Sequence, residues 1–151
     1  MLEPVHRGLT ADMFVVRGSE FLTLTRGSGS RGEGLEYLPG GGVDRGEDPE
    51  VAAIRETFEE SGLVVRDVTL LRVWTYATPE GWDTVHATYV GHSDSGGPEL
   101  SDEHTAFQWT TPQRYIDRWC SPAMEEAVPA FASWFSACRR NCELLLEFMS
   151  D

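Results

Sequence analysis

Three glutamates stand close together near the middle of the chain: Glu56, Glu59 and Glu60. On an α-helix, side chains at i, i+3 and i+4 are neighbours, so these carboxylates share one face. Held together they repel one another, which costs stability unless a cation sits among them. Hard oxygen donors of this kind suit Mg2+ or Mn2+. Taken alone, E-x-x-E-E also reads as a solvated acidic helix face, so the surrounding residues decide between a metal site and a bland surface.

A helix with clear ends carries the three acids. Asp48 is a good N-cap, Pro49 suits the first helical position, and Gly62 suits the C′ position that ends the helix. Val51, Ile54 and Phe58 fall on the face opposite the glutamates, which makes the glutamates an exposed acidic cluster. Before the helix, Leu38-Pro39-Gly40-Gly41-Gly42 reads as a short strand end running into a glycine turn. Two β-rich runs, Met13 to Arg17 and Phe21 to Arg26, flank a hairpin-like turn at Gly18-Ser19-Glu20. After the helix, Leu63 to Ala77 and Asp83 to Gly91 are β-rich. The turn Thr78-Pro79-Glu80-Gly81-Trp82 joins them, and a polar loop leads to a further strand at Ala106 to Thr110. Thr111-Pro112 starts a short helix, and the chain from Pro122 is mostly helical, with Pro129 kinking it or starting a second helix. Val128, Phe131, Phe135, Cys138 and Cys142 fall at helical spacing there, a stripe read as core packing. These elements predict an α/β fold: a mixed sheet with helices packed on it and helices at the C-terminal end.

Gly41, Glu47, Arg55, Glu56, Glu59, Glu60 and Gly62 fit G-x5-E-x7-R-E-U-x-E-E-x-G-U at every fixed position. The segment Gly41 to Leu63 resembles the Nudix box of the Nudix (MutT-like) hydrolases. Thr57, standing where the family has an aliphatic residue, is the one departure, and it is expected at the side of the helix. The resemblance implies an α/β/α sandwich around a mixed sheet, and a divalent-metal-dependent enzyme that cleaves a nucleoside diphosphate linked to another group. It implies that Glu56 and Glu60 bind metal, that Glu59 assists them or orients water, and that the carbonyl near Gly41 adds a ligand. Arg55 is implied to be structural, pairing with a box glutamate such as Glu47. Glu103, ahead of Trp109, resembles the distal glutamate that serves as metal ligand or general base; a solvated loop acid is the alternative. Arg26 ends the second strand where relatives carry a phosphate-contacting arginine, with a surface arginine as the alternative. The usual aromatic ahead of the glycine turn is absent at Glu36, and Tyr37 is the nearest one.

Downstream of the box, Pro79 resembles a proline of the ADP-ribose pyrophosphatases. That leans the substrate toward ADP-ribose or a related nucleotide sugar. A MutT-like nucleoside triphosphate pyrophosphatase is the alternative, and a non-catalytic nucleotide sensor a third reading that the intact box disfavours. Trp82, at the tip of its turn, offers a flat face for a nucleobase or folds back onto the sheet as a plug. His86, His92 and His104 show no ligand spacing and read as ordinary polar residues.

Composition narrows the partners. The 151 residues predict one domain, 1–151, large enough to bury a core unaided. All 12 basic residues are Arg, and against 25 acidic ones they leave a net charge of −13. A nucleic-acid polymer and an anionic membrane both repel such a surface, whereas a small nucleotide is reachable if metal cations mediate the contact. The three cysteines, Cys120, Cys138 and Cys142, occur without an apolar signal segment, so the chain is expected to be cytoplasmic with reduced thiols. Monomer and homodimer both remain open.

Overall fold

The computed structural model describes residues 7–29, 32–78, 81 and 83–150. In chain order the strands are β1 (Arg7–Arg17), β2 (Glu20–Arg26), β3 (Glu36–Tyr37) and β4 (Gly40–Gly42), followed by helix α1 (Pro49–Ser61). Then come β5 (Arg66–Ala77), β6 (Asp83–His92) and β7 (His104–Thr110), and the helices α2 (Pro112–Trp119), α3 (Pro122–Ala127) and α4 (Ala132–Met149). A single 3-10 turn at Pro129–Phe131 separates the last two helices, where proline removes a backbone donor. Pro79, Glu80 and Trp82 lie outside the described residues.

The strands form one mixed sheet. β1 runs parallel to β6, and the remaining pairs are antiparallel. β1 is central and buried on both faces. Ala11, Met13 and Val15 pack toward α1, while Phe14 and Val16 pack toward α2 and α4. Beside the Gly18 turn, β1 pairs with β2 at Val16–Phe21 and Arg17–Glu20. Further along, at Thr10–Asp12, its partner is β4. The sheet therefore splits between β1 and β2, and the short glycine strand β4 enters the gap.

Gly40 makes that entry possible. A Cβ there would lie 2.5 Å from the Ala11 carbonyl oxygen and 2.8 Å from the Asp12 Cα, too close for any side chain.

Helix α1 begins and ends where its capping residues predict. The Asp48 carboxylate accepts from Glu50 N–H at 3.0 Å, and Gly62 closes the helix at φ 71°, its N–H donating to the Phe58 carbonyl. Its orientation differs from the periodicity reading. Val51, Ile54 and Phe58 are exposed, and the face against the sheet is Ala52, Ala53, Thr57, Glu60 and Ser61. Small residues let the helix lie close to the sheet, which bulky ones would prevent. Thr57 is at the centre of that face, fully buried rather than at the side, and its hydroxyl donates to the Ala53 carbonyl at 2.7 Å. The extra polar atom is thereby satisfied within the helix. Among the described residues, no helix is long and apolar enough to cross a membrane.

Candidate active site

The box glutamates go to two different environments. Glu60 is buried, 5% exposed, which departs from an exposed acidic cluster. Its Oε1 accepts from the Gly40 N–H at 2.7 Å, so the glycine strand and the helix meet at this carboxylate. Glu56 lies against Gly41, where a Cβ would stand 2.7 Å from its carboxyl carbon. Glu59 is half exposed and bonded to Arg55 at 3.1 Å. The helix alone places these three side by side; burial then separates Glu60 from Glu59.

Arg55 provides the local positive charge. It donates to Glu47 at 2.8 and 2.9 Å, to Glu56 at 3.0 Å, to Glu59 at 3.1 Å and to the Gly42 carbonyl at 3.3 Å. Hydrogen bonds from Arg55, and then from the Asp44 N–H, hold the Glu47 carboxyl down at about 2. Lysine has one ammonium and cannot serve these acceptors together. Arg55→Lys should raise the Mg2+ concentration for half-maximal turnover by about 10- to 100-fold, the usual cost of losing a ligand's supporting partner. A metal titration of turnover checks this; an unchanged midpoint rejects a supporting role for Arg55.

Long-range folding brings two more residues to Glu60. Its backbone carbonyl accepts from Ser101 N–H at 3.3 Å, and Ser61 accepts from Glu99 N–H at 2.8 Å, tying the loop before β7 to the end of α1. Gly27 N–H bonds the Glu103 carbonyl at 3.1 Å. Glu60, Glu103 and His104 consequently present ligand atoms all within 4.8 Å of one another, and His104 Nε2 lies 3.3 Å from Glu60 Oε2. Sequence spacing gave no signal for His104: it is far from the box and has no second histidine at ligand spacing.

This donor set suits a divalent cation. Burial, followed by repulsion from Glu56 and Glu103, pushes the Glu60 carboxyl up to about 8, against the Gly40 N–H bond that lowers it. Burial likewise raises Glu56. A cluster of acids that repel one another is also relieved by a bound cation. Burial lowers His104, keeping its ring neutral and able to coordinate.

On the other face of the sheet from α1 lies a cavity of about 310 Å³. Trp74, Tyr76, His86 and Trp134 form an aromatic box, with Trp74 and His86 stacked at 4.3 Å and the Trp134 ring 5.1 Å from Tyr76. Gly40, Gly41 and Gly42 line the same cavity, and Glu60 and Glu56 lie against Gly40 and Gly41. Arg26 also lines it, stacked over Tyr37 at 4.6 Å, and its charge is felt by both Glu60 and His104. Phe131, Cys138 and Cys142 belong to the cavity wall as well as to core packing, which departs from the reading of that stripe as core only. Glu36 is buried and accepts from the Trp119 indole N–H, leaving Tyr37 as the aromatic on this wall. His86, read as an ordinary polar residue, is part of the cavity. Trp82 lies outside the described residues.

A family model described as NUDIX domain matches residues 6–131. A "MutT-like protein" of Streptomyces ambofaciens is 31% identical over 116 residues, which span 76% of this chain and 70% of that protein. A Mycobacterium tuberculosis protein named "Putative 8-oxo-dGTP diphosphatase 2" is 33% identical over 128 residues, 84% of each chain. The crystal structure of a MutT NUDIX hydrolase from Burkholderia pseudomallei superposes with a TM-score of 0.65 at 31% identity, covering 72% of this chain and 85% of that one. A MutT protein from Methanosarcina mazei Go1 shares the fold, with a TM-score of 0.71 at 24% identity over 93% of this chain and 97% of that one.

Proposed function

The chain belongs to the NUDIX family and is a hydrolase of phosphoanhydride bonds; from that premise we propose that it is a Mg2+-dependent pyrophosphohydrolase of nucleoside triphosphates. One observation carries this reading. An aromatic cavity and a carboxylate cluster lie on opposite sides of the glycine strand β4, with Arg26 lining the cavity and electrostatically coupled to the cluster. A base fits the aromatic side, and phosphates extend past β4 to the acidic side. The names of the relatives, MutT-like and 8-oxo-dGTP diphosphatase, favour a triphosphate over a nucleotide sugar. The residue behind the ADP-ribose reading, Pro79, lies outside the described residues.

Glu56, Glu60 and the Gly41 carbonyl would hold the metal. A bound divalent ion neutralises charge on the diphosphate and acidifies a water molecule. Arg55 holds Glu56 and Glu59 in place. His104, neutral and beside Glu60, positions that carboxylate. Glu103 is exposed at the cluster and can accept the proton of the attacking water, while Glu59, bonded to Arg55, supports Glu56. Arg26 contacts the phosphates where they leave the cavity.

A panel of dGTP, 8-oxo-dGTP, dATP and ADP-ribose, with Mg2+, with Mn2+ and with chelator, tests this reading. Pyrophosphate should be released from the triphosphates only when metal is present. Cleavage confined to ADP-ribose would move the substrate class to nucleotide sugars. Tight binding without turnover of any compound would make the chain a sensor and end the enzymatic reading.

A further inference from the structure

Helix α1 carries its acids and its bulky apolar residues on different flanks. Glu56 leans on Gly41 of β4. At about 100° per residue, Val51, Ile54 and Phe58 fall on the flank away from Glu56 and Glu59. On that flank the sheet continues past the helix. α1 packs on β1, β4 and β6, and the next strand, β5, is the edge of the sheet. Leu70 and Val73 of β5 stand opposite Tyr89 and Ala87 of β6, which belong to the core beneath α1, so all four side chains share the α1 face. Tyr89 and Ala87 are buried, whereas Leu70 is 50% exposed and Val73 58%. Phe58 on the helix flank is equally open, at 58%. The two elements form an apolar step: the open face of β5 is its tread and the flank of α1 its riser.

Charge sets this step apart from the rest of the surface. None of the 25 acidic residues falls within residues 68–77 or 84–92, which make up nearly all of β5 and β6. The one arginine in those segments, Arg72, is turned to the opposite face, where it donates to Asn141 Oδ1 of α4 at 2.9 Å. Asp48 and Glu50, near Tyr89 at the start of α1, mark the limit of the neutral zone. A cationic partner finds no anions on the tread, and an anionic partner finds no free cation. Two copies of a chain with net charge −13 repel one another, and this is a face they can bring together without opposing acids.

We propose that the step is a self-association surface and that its occupant is the same step of a second copy of this chain. Its shape is self-complementary. The riser is one helix high, about 10 Å, and packed sheets lie about 10 Å apart. A two-fold axis parallel to β5 therefore lays the two treads face to face at normal sheet spacing. Each riser then closes on the outer edge of the other copy's β5, which covers Ile54 and Phe58 along with Leu70 and Val73. An isologous contact of this kind closes on itself and gives a dimer rather than a filament. One strand and one helix flank make a small interface, so the dimer is a micromolar one.

Sedimentation equilibrium of the full chain tests this. At about 100 μM, well above a micromolar Kd, the wild type should sediment with twice the chain mass. Raising NaCl from about 0.05 to 0.5 M should tighten the dimer several-fold, because salt screens the repulsion between acidic copies and leaves the apolar contact intact. Val73→Glu and Phe58→Glu put charges on the tread and on the riser, and each should weaken association by about tenfold or more, the scale of desolvating an unpaired charge. Both side chains are exposed in the single chain, so melting should change little. Leu146→Glu, at an exposed position of α4 on the other side of the sheet, should leave the dimer as it is. A wild type that stays monomeric at about 100 μM overturns the proposal and leaves the step to a different protein. So does a dimer that survives in folded Val73→Glu or Phe58→Glu, or one that salt loosens. If one variant fails to fold by near-UV circular dichroism, the other and the salt series decide.

Discussion

Glu60→Gln is expected to lower turnover by about two to three orders of magnitude at saturating Mg2+, while the metal-free protein becomes more stable above pH 7. Glutamine keeps the shape of the side chain and can still accept from the Gly40 N–H. It cannot bring the negative charge that holds a cation. That charge is worth several kcal/mol to a metal-assisted transition state, and each 1.36 kcal/mol is a factor of about ten. Stability moves the other way because the Glu60 carboxylate is buried beside Glu56 and Glu103, and ionising it there is unfavourable. Opposite signs in the two measurements distinguish a metal ligand from a structural residue. Unchanged turnover would sink the metal assignment, and a fall in melting temperature would mean that Glu60 chiefly holds the fold together.

Metal-free protein should also lose stability as the pH rises from 6.5 to 8, and Mg2+ should restore it. The folded Glu60 carboxyl titrates at about 8 against a usual 4.5, and Asp12 at about 7 against 3.8. A raised carboxyl stabilises the folded state fully below its usual value, and that contribution disappears as the pH climbs through the folded value. His86 works in the other direction. Its folded value is about 4 against a usual 6.5, so its contribution is complete above 6.5 and is lost on acidification through about 4. Between 4.5 and 6.5 His86 offsets one of the two carboxyls, so stability falls more gently there. Above 6.5 the carboxyls act alone, and the loss by pH 8 is roughly 2 kcal/mol. Mg2+ at a hundredfold excess over its Kd adds back about 2.7 kcal/mol by binding the folded state. In a chain of this size each kcal/mol moves the melting temperature by about 2–4 °C. Melting at pH 6.5 and 8, in chelator and in Mg2+, checks both halves. A flat profile in chelator contradicts a buried, ionising Glu60.

The features legible in the sequence are those whose physics is local. Asp48, Pro49 and Gly62 fix the limits of α1 because capping involves residues within a turn or two of each end. The pattern from Gly41 to Leu63 identifies the acidic helix and the glycine strand, and Arg55 reaches Glu47, Glu56 and Glu59 across one helical turn or one short loop. The strand order was not legible, since the parallel pairing of β1 with β6 joins residues far apart in the chain. Asp12 is not legible for a related reason. The β-rich run reads as starting at Met13, whereas β1 begins at Arg7, and only the extended strand turns Asp12 toward the cavity.

Metal chemistry and the family were therefore set by a contiguous stretch of residues, because a helix imposes its own spacing on the carboxylates it carries. The orientation of that helix was decided by tertiary structure: the glycine strand β4 lets it approach closely, so small residues and Glu60 turn inward while Val51, Ile54 and Phe58 remain exposed. The meeting of Glu60 with Glu103 and His104, and of Asp12 with His86 beneath Trp74 and Trp134, was likewise decided only by folding. Each of these sites is assembled from elements distant in sequence, and proximity of that kind comes from strand pairing and loop anchoring, which no spacing rule along the chain encodes.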